Sequence, residues 1–176
     1  MANTKQEMSS IGLAGIADPA WIRIAKSLVG TTEIKGAKHN PEIVQMWKDI
    51  KRGGIKDDET PWCAAFVGAC LERAGIVSSR FESARSYETY GTKLKTPVYG
   101  CIGVRVRDGG GHVGFIVGKS PDGKLLMLGG NQRDQVNVVP FPLMGFTAFV
   151  YPPGLTAPRD LPQLTLANLT ETNRLA

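Results

Sequence analysis

Cys63 sits in the run Thr60-Pro61-Trp62-Cys63-Ala64-Ala65-Phe66-Val67, at a point where a helix should begin. Thr60 suits an N-cap, and Pro61 suits the first helical position, where a missing N–H costs nothing. Up to Ala74 the only breaker is Gly68, and Gly75 supplies a stop, so the pattern predicts a helix over 61–74. A cysteine in the first turn lies beside unpaired amides at the positive end of the helix dipole. That setting favours thiolate, the nucleophilic form of sulfur. Nucleophilic catalysis then needs a base within reach of the thiol.

The chain has two histidines. His39 precedes the Asn40-Pro41 helix start in a polar stretch and reads as an exposed loop residue. His112 follows Gly109-Gly110-Gly111 and begins the alternating run His112-Val113-Gly114-Phe115-Ile116-Val117, whose small residues leave space beside the ring. Ser120-Pro121-Asp122-Gly123 is a turn signal between two strands. A turn centred on Pro121-Asp122 puts Asn131 opposite His112, with Cβ atoms roughly 4.5–5.5 Å apart. Asn131 would then accept from one imidazole nitrogen and leave the other for Cys63, the order of a Cys-His-Asn site. A bulge at Gly129-Gly130 would shift that register by one.

The elements that must position these residues follow from periodicity. Pro19–Val29 reads as a first helix with Asp18 as its cap. Asn40 and Pro41 open a second helix, with Ile43, Val44, Met46, Trp47 and Ile50 facing inward. The helix bearing Cys63 is apolar nearly all round and should be buried. A short helical piece is expected over Ser83–Tyr90. Strands follow at Ile102–Arg107, His112–Val117, Lys124–Leu128, Val136–Val139 and Phe146–Tyr151. Helices first and an antiparallel sheet of about five strands after make the class α+β. The expected organisation is an arm over 1–18, one domain over 19–151 and a Pro-containing tail over 152–176, with a short helix near Leu164–Leu169.

Composition bounds the alternatives. At 176 residues, 42% hydrophobic and 21% charged, the chain is a single globular domain. No apolar run spans a bilayer. Ile11–Ala17 is short and broken by Gly12 and Gly15, a poor export signal. Three cysteines without metal spacing, and two histidines, argue against a disulfide framework and a metal site, so no cofactor is expected. The net charge of +5 is scattered rather than blocked, which reads as a solvated surface and not a nucleic-acid interface.

The three blocks Thr60–Val67, Gly110-Gly111-His112-Val113-Gly114-Phe115 and Leu128-Gly129-Gly130-Asn131-Gln132 resemble the papain-like cell-wall hydrolases. The similarity is to the NlpC-type and CHAP-type families, in their phage and prophage branch, and extends over roughly residues 19–151. The resemblance implies a papain-like fold in which Cys63 is the nucleophile, His112 the base and then acid, and Asn131 the orienting residue. Cys101, in Tyr99-Gly100-Cys101-Ile102, stands where such proteins often carry the acid of Pro-Gly-Asp-Ile. The implied activity is that of a cysteine peptidase or amidase cutting a peptide or amide bond of bacterial peptidoglycan, as an endolysin does, with antimicrobial effect.

The Cys63 N–H is the expected oxyanion donor, and a side chain from Asp58-Glu59-Thr60 could add to it. Trp62, Gln132 and Arg85 are candidate substrate contacts. The expected protein is a monomer made in the bacterial cytoplasm, reaching the wall through a holin or an injection machine. Two other readings share the fold: a catalytically silent wall-binding virion component, and a secreted Cys-His toxin acting on a protein.

Overall fold

The computed structural model describes residues 17–168. Three helices precede the sheet: α1 (Ala20–Ser27), α2 (Pro41–Asp49) and α3 (Cys63–Arg73). A 3-10 helix (Ala84–Thr89) and six strands follow: β1 (Thr92–Lys93), β2 (Ile102–Arg107), β3 (Gly110–Lys119), β4 (Leu125–Gly129), β5 (Asn137–Phe141) and β6 (Phe146–Tyr151). The class is α+β, with one antiparallel sheet ordered β1-β6-β2-β3-β4-β5. The strand beyond the expected five is β1, whose two residues are both exposed and so carry no hydrophobic alternation.

The helix starts show which sequence signals held. Asn40 caps α2 as its chemistry predicts, its side-chain oxygen accepting from the Glu42 N–H. In α1 the cap position is Pro19 rather than Asp18, and no side chain caps it. Asp18 instead pairs with Lys26 and accepts from the Tyr99 hydroxyl. Helix α3 begins at Cys63 with Trp62 at the cap position, two residues later than Thr60-Pro61 suggested. The Thr60 and Glu59 amides are held by the Asp57 carboxylate in a separate turn before the helix.

Every residue from Cys63 to Leu71 is buried, so α3 is the core helix, set against α1, α2 and β3. Phe66 meets Phe115 of β3 edge to face at 6.1 Å. Gly130, just after β4, has no room for a side chain: a Cβ there would lie 2.6 Å from both Phe66 Cβ and the Trp62 ring. That close approach fixes the chain after β4 against the start of α3.

The segment after β6 is less of a free tail than its prolines suggested. It runs back along the far end of β3, bridging in parallel at Lys119 and Gln163, with Leu164 buried against Gly118. The apolar stretch Ile11–Ala17 lies, but for Ala17, outside the described residues. Of the helix expected near Leu164–Leu169, residues 166–168 are helical and 169 lies outside. Among the described residues no helix is long and apolar enough to cross a membrane.

Candidate active site

Cys63 is the first residue of α3 and is 5% exposed. Burial pushes its thiol pKa up, and the opposing Val113 and Ala64 amides do not cancel that effect. Desolvation thus works against the thiolate that a helix N-terminus favours. Alkylation of Cys63 by iodoacetamide should accordingly climb steadily with pH through and above neutrality. The rate is read by mass spectrometry of the peptide containing Cys63. A plateau between pH 5 and 7 would reveal a preformed thiolate instead.

His112 lies in β3, buried, directly opposite Arg105 of β2. Its Nε2 is 3.0 Å from Gln132 Oε1. The expected partner was Asn131, and the structure corrects this by one residue. The inferred hairpin register does hold at Phe115–Leu128 and Ile116–Met127, beyond a bulge at Ile116/Gly118. The ladder then stops, and Gly130 turns the chain onto α3. Asn131 adopts a left-handed φ of 54° and is not paired with β3. Gln132 follows, its side chain buried and directed back at the imidazole.

The surroundings of Gln132 define the ring's tautomer. Its Nε2 donates to the carbonyls of Met127 and Asn137 and to Asn137 Oδ1. The amide oxygen is thus the atom left for His112, and an oxygen only accepts. His112 Nε2 must carry the proton, which leaves the Nδ1 lone pair as the basic site. Nδ1 is buried and makes no hydrogen bond, to the Cys63 sulfur or to any other described atom. Burial, with the Arg107 and Arg105 charges, lowers the imidazole pKa despite the bond to Gln132. The ring therefore stays neutral, and basic, to lower pH than a free histidine.

Two adjoining cavities open here. One, about 390 Å³, is lined by Cys63, Pro61, Ala84, Gly111 and Asn131. The other, about 260 Å³, is lined by His112, Gln132 and Phe141. Arg107 and Asn131 border both, so Asn131 lines the shared edge of the two cavities, while the bond to the His112 ring comes from Gln132.

The remaining candidates separate clearly. Trp62 is fully buried, its indole N–H donating to Glu33 Oε1 at 2.7 Å, so it is core and not a groove wall. Burial raises the Glu33 pKa more than this bond lowers it. Arg85 is exposed on the 3-10 helix and pairs with Glu88. Neither it nor Trp62 lines either cavity. Cys101 is buried in the core.

Asp58 has a structural role that no local sequence signal marks. It is completely buried, accepting from the Ile34 and Asn40 amides and facing His39 Nδ1 at 2.9 Å. His39 is thus half-buried and anchored rather than a free loop residue, and Asp58 is no oxyanion donor. Glu33 and Thr32 also bridge to Asp134 and Gln135 of the loop carrying Gln132. The segments before Cys63 and around Gln132 are therefore braced by the same stretch, residues 32–40.

Among the described residues no group of His, Cys, Asp and Glu converges as a metal site. No protein-family model matches the chain, and no curated protein or solved structure is significantly similar to it.

Proposed function

We propose that this chain is a papain-like cysteine peptidase or amidase that hydrolyses a peptide or amide bond of bacterial peptidoglycan. The observation that carries the chemistry is the buried, unpartnered Nδ1 of His112, with Nε2 tied to Gln132, next to the compartment of Cys63. A buried polar atom without a partner is costly, and a base kept for a transferred proton explains its retention. The choice of peptidoglycan comes from the sequence resemblance.

In this reading Cys63 is a neutral thiol until substrate binds. Its sulfur attacks the carbonyl carbon as its proton passes to His112 Nδ1, and Gln132 Oε1 holds the resulting imidazolium through Nε2–H. The oxyanion is met by the Cys63 backbone N–H, one of the amides a helix start leaves unpaired. Collapse expels the amine, which takes the proton from Nδ1 and leaves a thioester on Cys63. Water then adds to the thioester with His112 again as base, and the carboxylic acid departs with the thiol restored.

The test is digestion of purified peptidoglycan by the wild-type chain, followed by mass spectrometry of the soluble products. A new amine on a stem residue identifies an endopeptidase, and a freed lactyl carboxylate identifies an amidase. Wild-type protein that releases neither from walls of several bond chemistries overturns the proposal.

A further inference from the structure

The cavity beside His112 holds an unusual charge arrangement. Arg105, Arg107 and Arg133 all border it, and no Asp or Glu does. Among the described residues none of these three makes an ion pair, whereas Arg52, Arg73, Arg80 and Arg85 each have a carboxylate partner. Arg105 is also fixed in place. Its guanidinium lies 4.3 Å from the Phe141 ring centroid and 5.8 Å from that of Phe146, and its Nε is buried without a hydrogen-bond partner. An immobilised guanidinium with an unused donor is prepared for an acceptor that arrives with the ligand.

Arg133 reaches the cavity from a loop built at a conformational cost. Asn131, Arg133 and Asp134 all have left-handed φ, at 54°, 56° and 62°. Bonds from the Gln132 amide to the Gln135 carbonyl and from the Glu33 amide to the Asp134 carbonyl hold the loop so. The neighbouring Cys63 groove shares Arg107 but also carries Asp108 and the Arg52-paired Glu82, so the unpaired positive charge is concentrated on the His112 side.

We infer that the cavity beside His112 receives a carboxylate of the substrate, held by Arg105 together with Arg107 and Arg133. The inference rests on the peptidase reading and narrows it to peptides that are anionic close to the scissile bond. It also has a catalytic consequence. In the empty site the arginines oppose the imidazolium that must form when Cys63 loses its proton. A bound carboxylate neutralises them at that moment, so an anionic substrate raises kcat as well as lowering KM.

The experiment uses three synthetic stem peptides: one with all carboxylates free, one amidated at the internal carboxylate and one amidated at the C-terminus. Binding is measured by calorimetry on the Cys63→Ala protein, so turnover is not needed. The free peptide should bind at least about tenfold more tightly than one of the amidated pair, and which one identifies the carboxylate held. Arg105→Gln and, independently, Arg107→Gln on the exposed end of β2 should each erase that preference. Equal binding of all three peptides, or a preference that survives both substitutions, overturns the inference. The two readings fail separately. If the wild-type chain cleaves none of the peptides while the preference persists, the carboxylate site stands and the peptidase falls. If it cleaves all three at one rate with no binding preference, the peptidase stands and the site falls.

Discussion

Cys63→Ala is expected to reduce the rate of peptidoglycan hydrolysis at least about 10⁴-fold, the scale seen when a covalent nucleophile is removed. Fold and wall binding should remain. The substitution removes one sulfur from a residue that is 5% exposed, and alanine is the best helix former at the first position of α3. Loss of stability should stay near about 1 kcal/mol, a few degrees in melting temperature. Cys70→Ala is the control that separates chemistry from packing. Cys70 lies on the same helix, wholly buried, with its thiol pKa pushed far up by burial. Its removal should cost comparable or greater stability while leaving turnover intact. The pair is read by release of soluble wall fragments and by thermal unfolding. A Cys63→Ala protein that retains a tenth of wild-type activity rules out the thiol as nucleophile. Equal loss in both variants would assign the effect to packing. Because burial and two arginines lower the His112 pKa, the acid limb of the wild-type rate should fall below pH 6.5, the ordinary imidazole value.

The two side chains of the proposed chemistry are legible in the sequence because each is tied to a strong local signal. Cys63 opens an apolar helix, and His112 lies near the start of a strand announced by three glycines, two of which belong to it. The orienting residue was missed by one position, for a physical reason. Hairpin register can be counted only while the ladder lasts, and here it ends at Leu128 because Gly130 must clear the Trp62 and Phe66 side chains. Beyond that point backbone conformation, not strand period, decides which side chain turns inward. The sequence favours a thiolate at Cys63 because a helix start is visible in it, whereas the depth of burial that raises the thiol pKa is not. Trp62 illustrates the same gap: an indole beside a nucleophile looks like a groove wall until its N–H is seen bonded to Glu33 inside the core. Asp58 could not be found at all. Asp57-Asp58-Glu59 places three carboxylates side by side, and only tertiary structure distinguishes the one that is buried.

Asp58→Ala is expected to be the most destabilising single change near the site, about 3–5 kcal/mol, or roughly 6–20 °C in melting temperature for a domain of this size. The magnitude follows from what the carboxylate leaves behind. The amides of Ile34 and Asn40, each 2.8 Å from the fully buried Asp58 Oδ2, would lose their acceptor, and His39 would lose its partner. Asp58→Asn should recover much of this, because its amide oxygen can still accept from both amides while its NH2 donates to the lone pair of His39 Nδ1. His39→Ala, which leaves both amides satisfied, should cost much less. The pH dependence has a definite sign. Burial alone would raise the Asp58 pKa, but the Ile34 and Asn40 amides and His39 outweigh it, so the folded value lies below the ordinary 3.8. Its contribution is complete above that value and is lost as pH falls through the folded pKa. The substitution should therefore flatten the acid limb of the stability curve below about pH 4, as read by denaturant melts at a series of pH values. Activity should fall too, even well below the melting temperature. Residues 32–40, which Asp58 secures, also brace the loop bearing Gln132, so releasing them loosens the helix start at Cys63 and the tether of His112 together. An Asp58→Ala protein with wild-type stability and wild-type kcat would show that the two halves of the site are positioned independently.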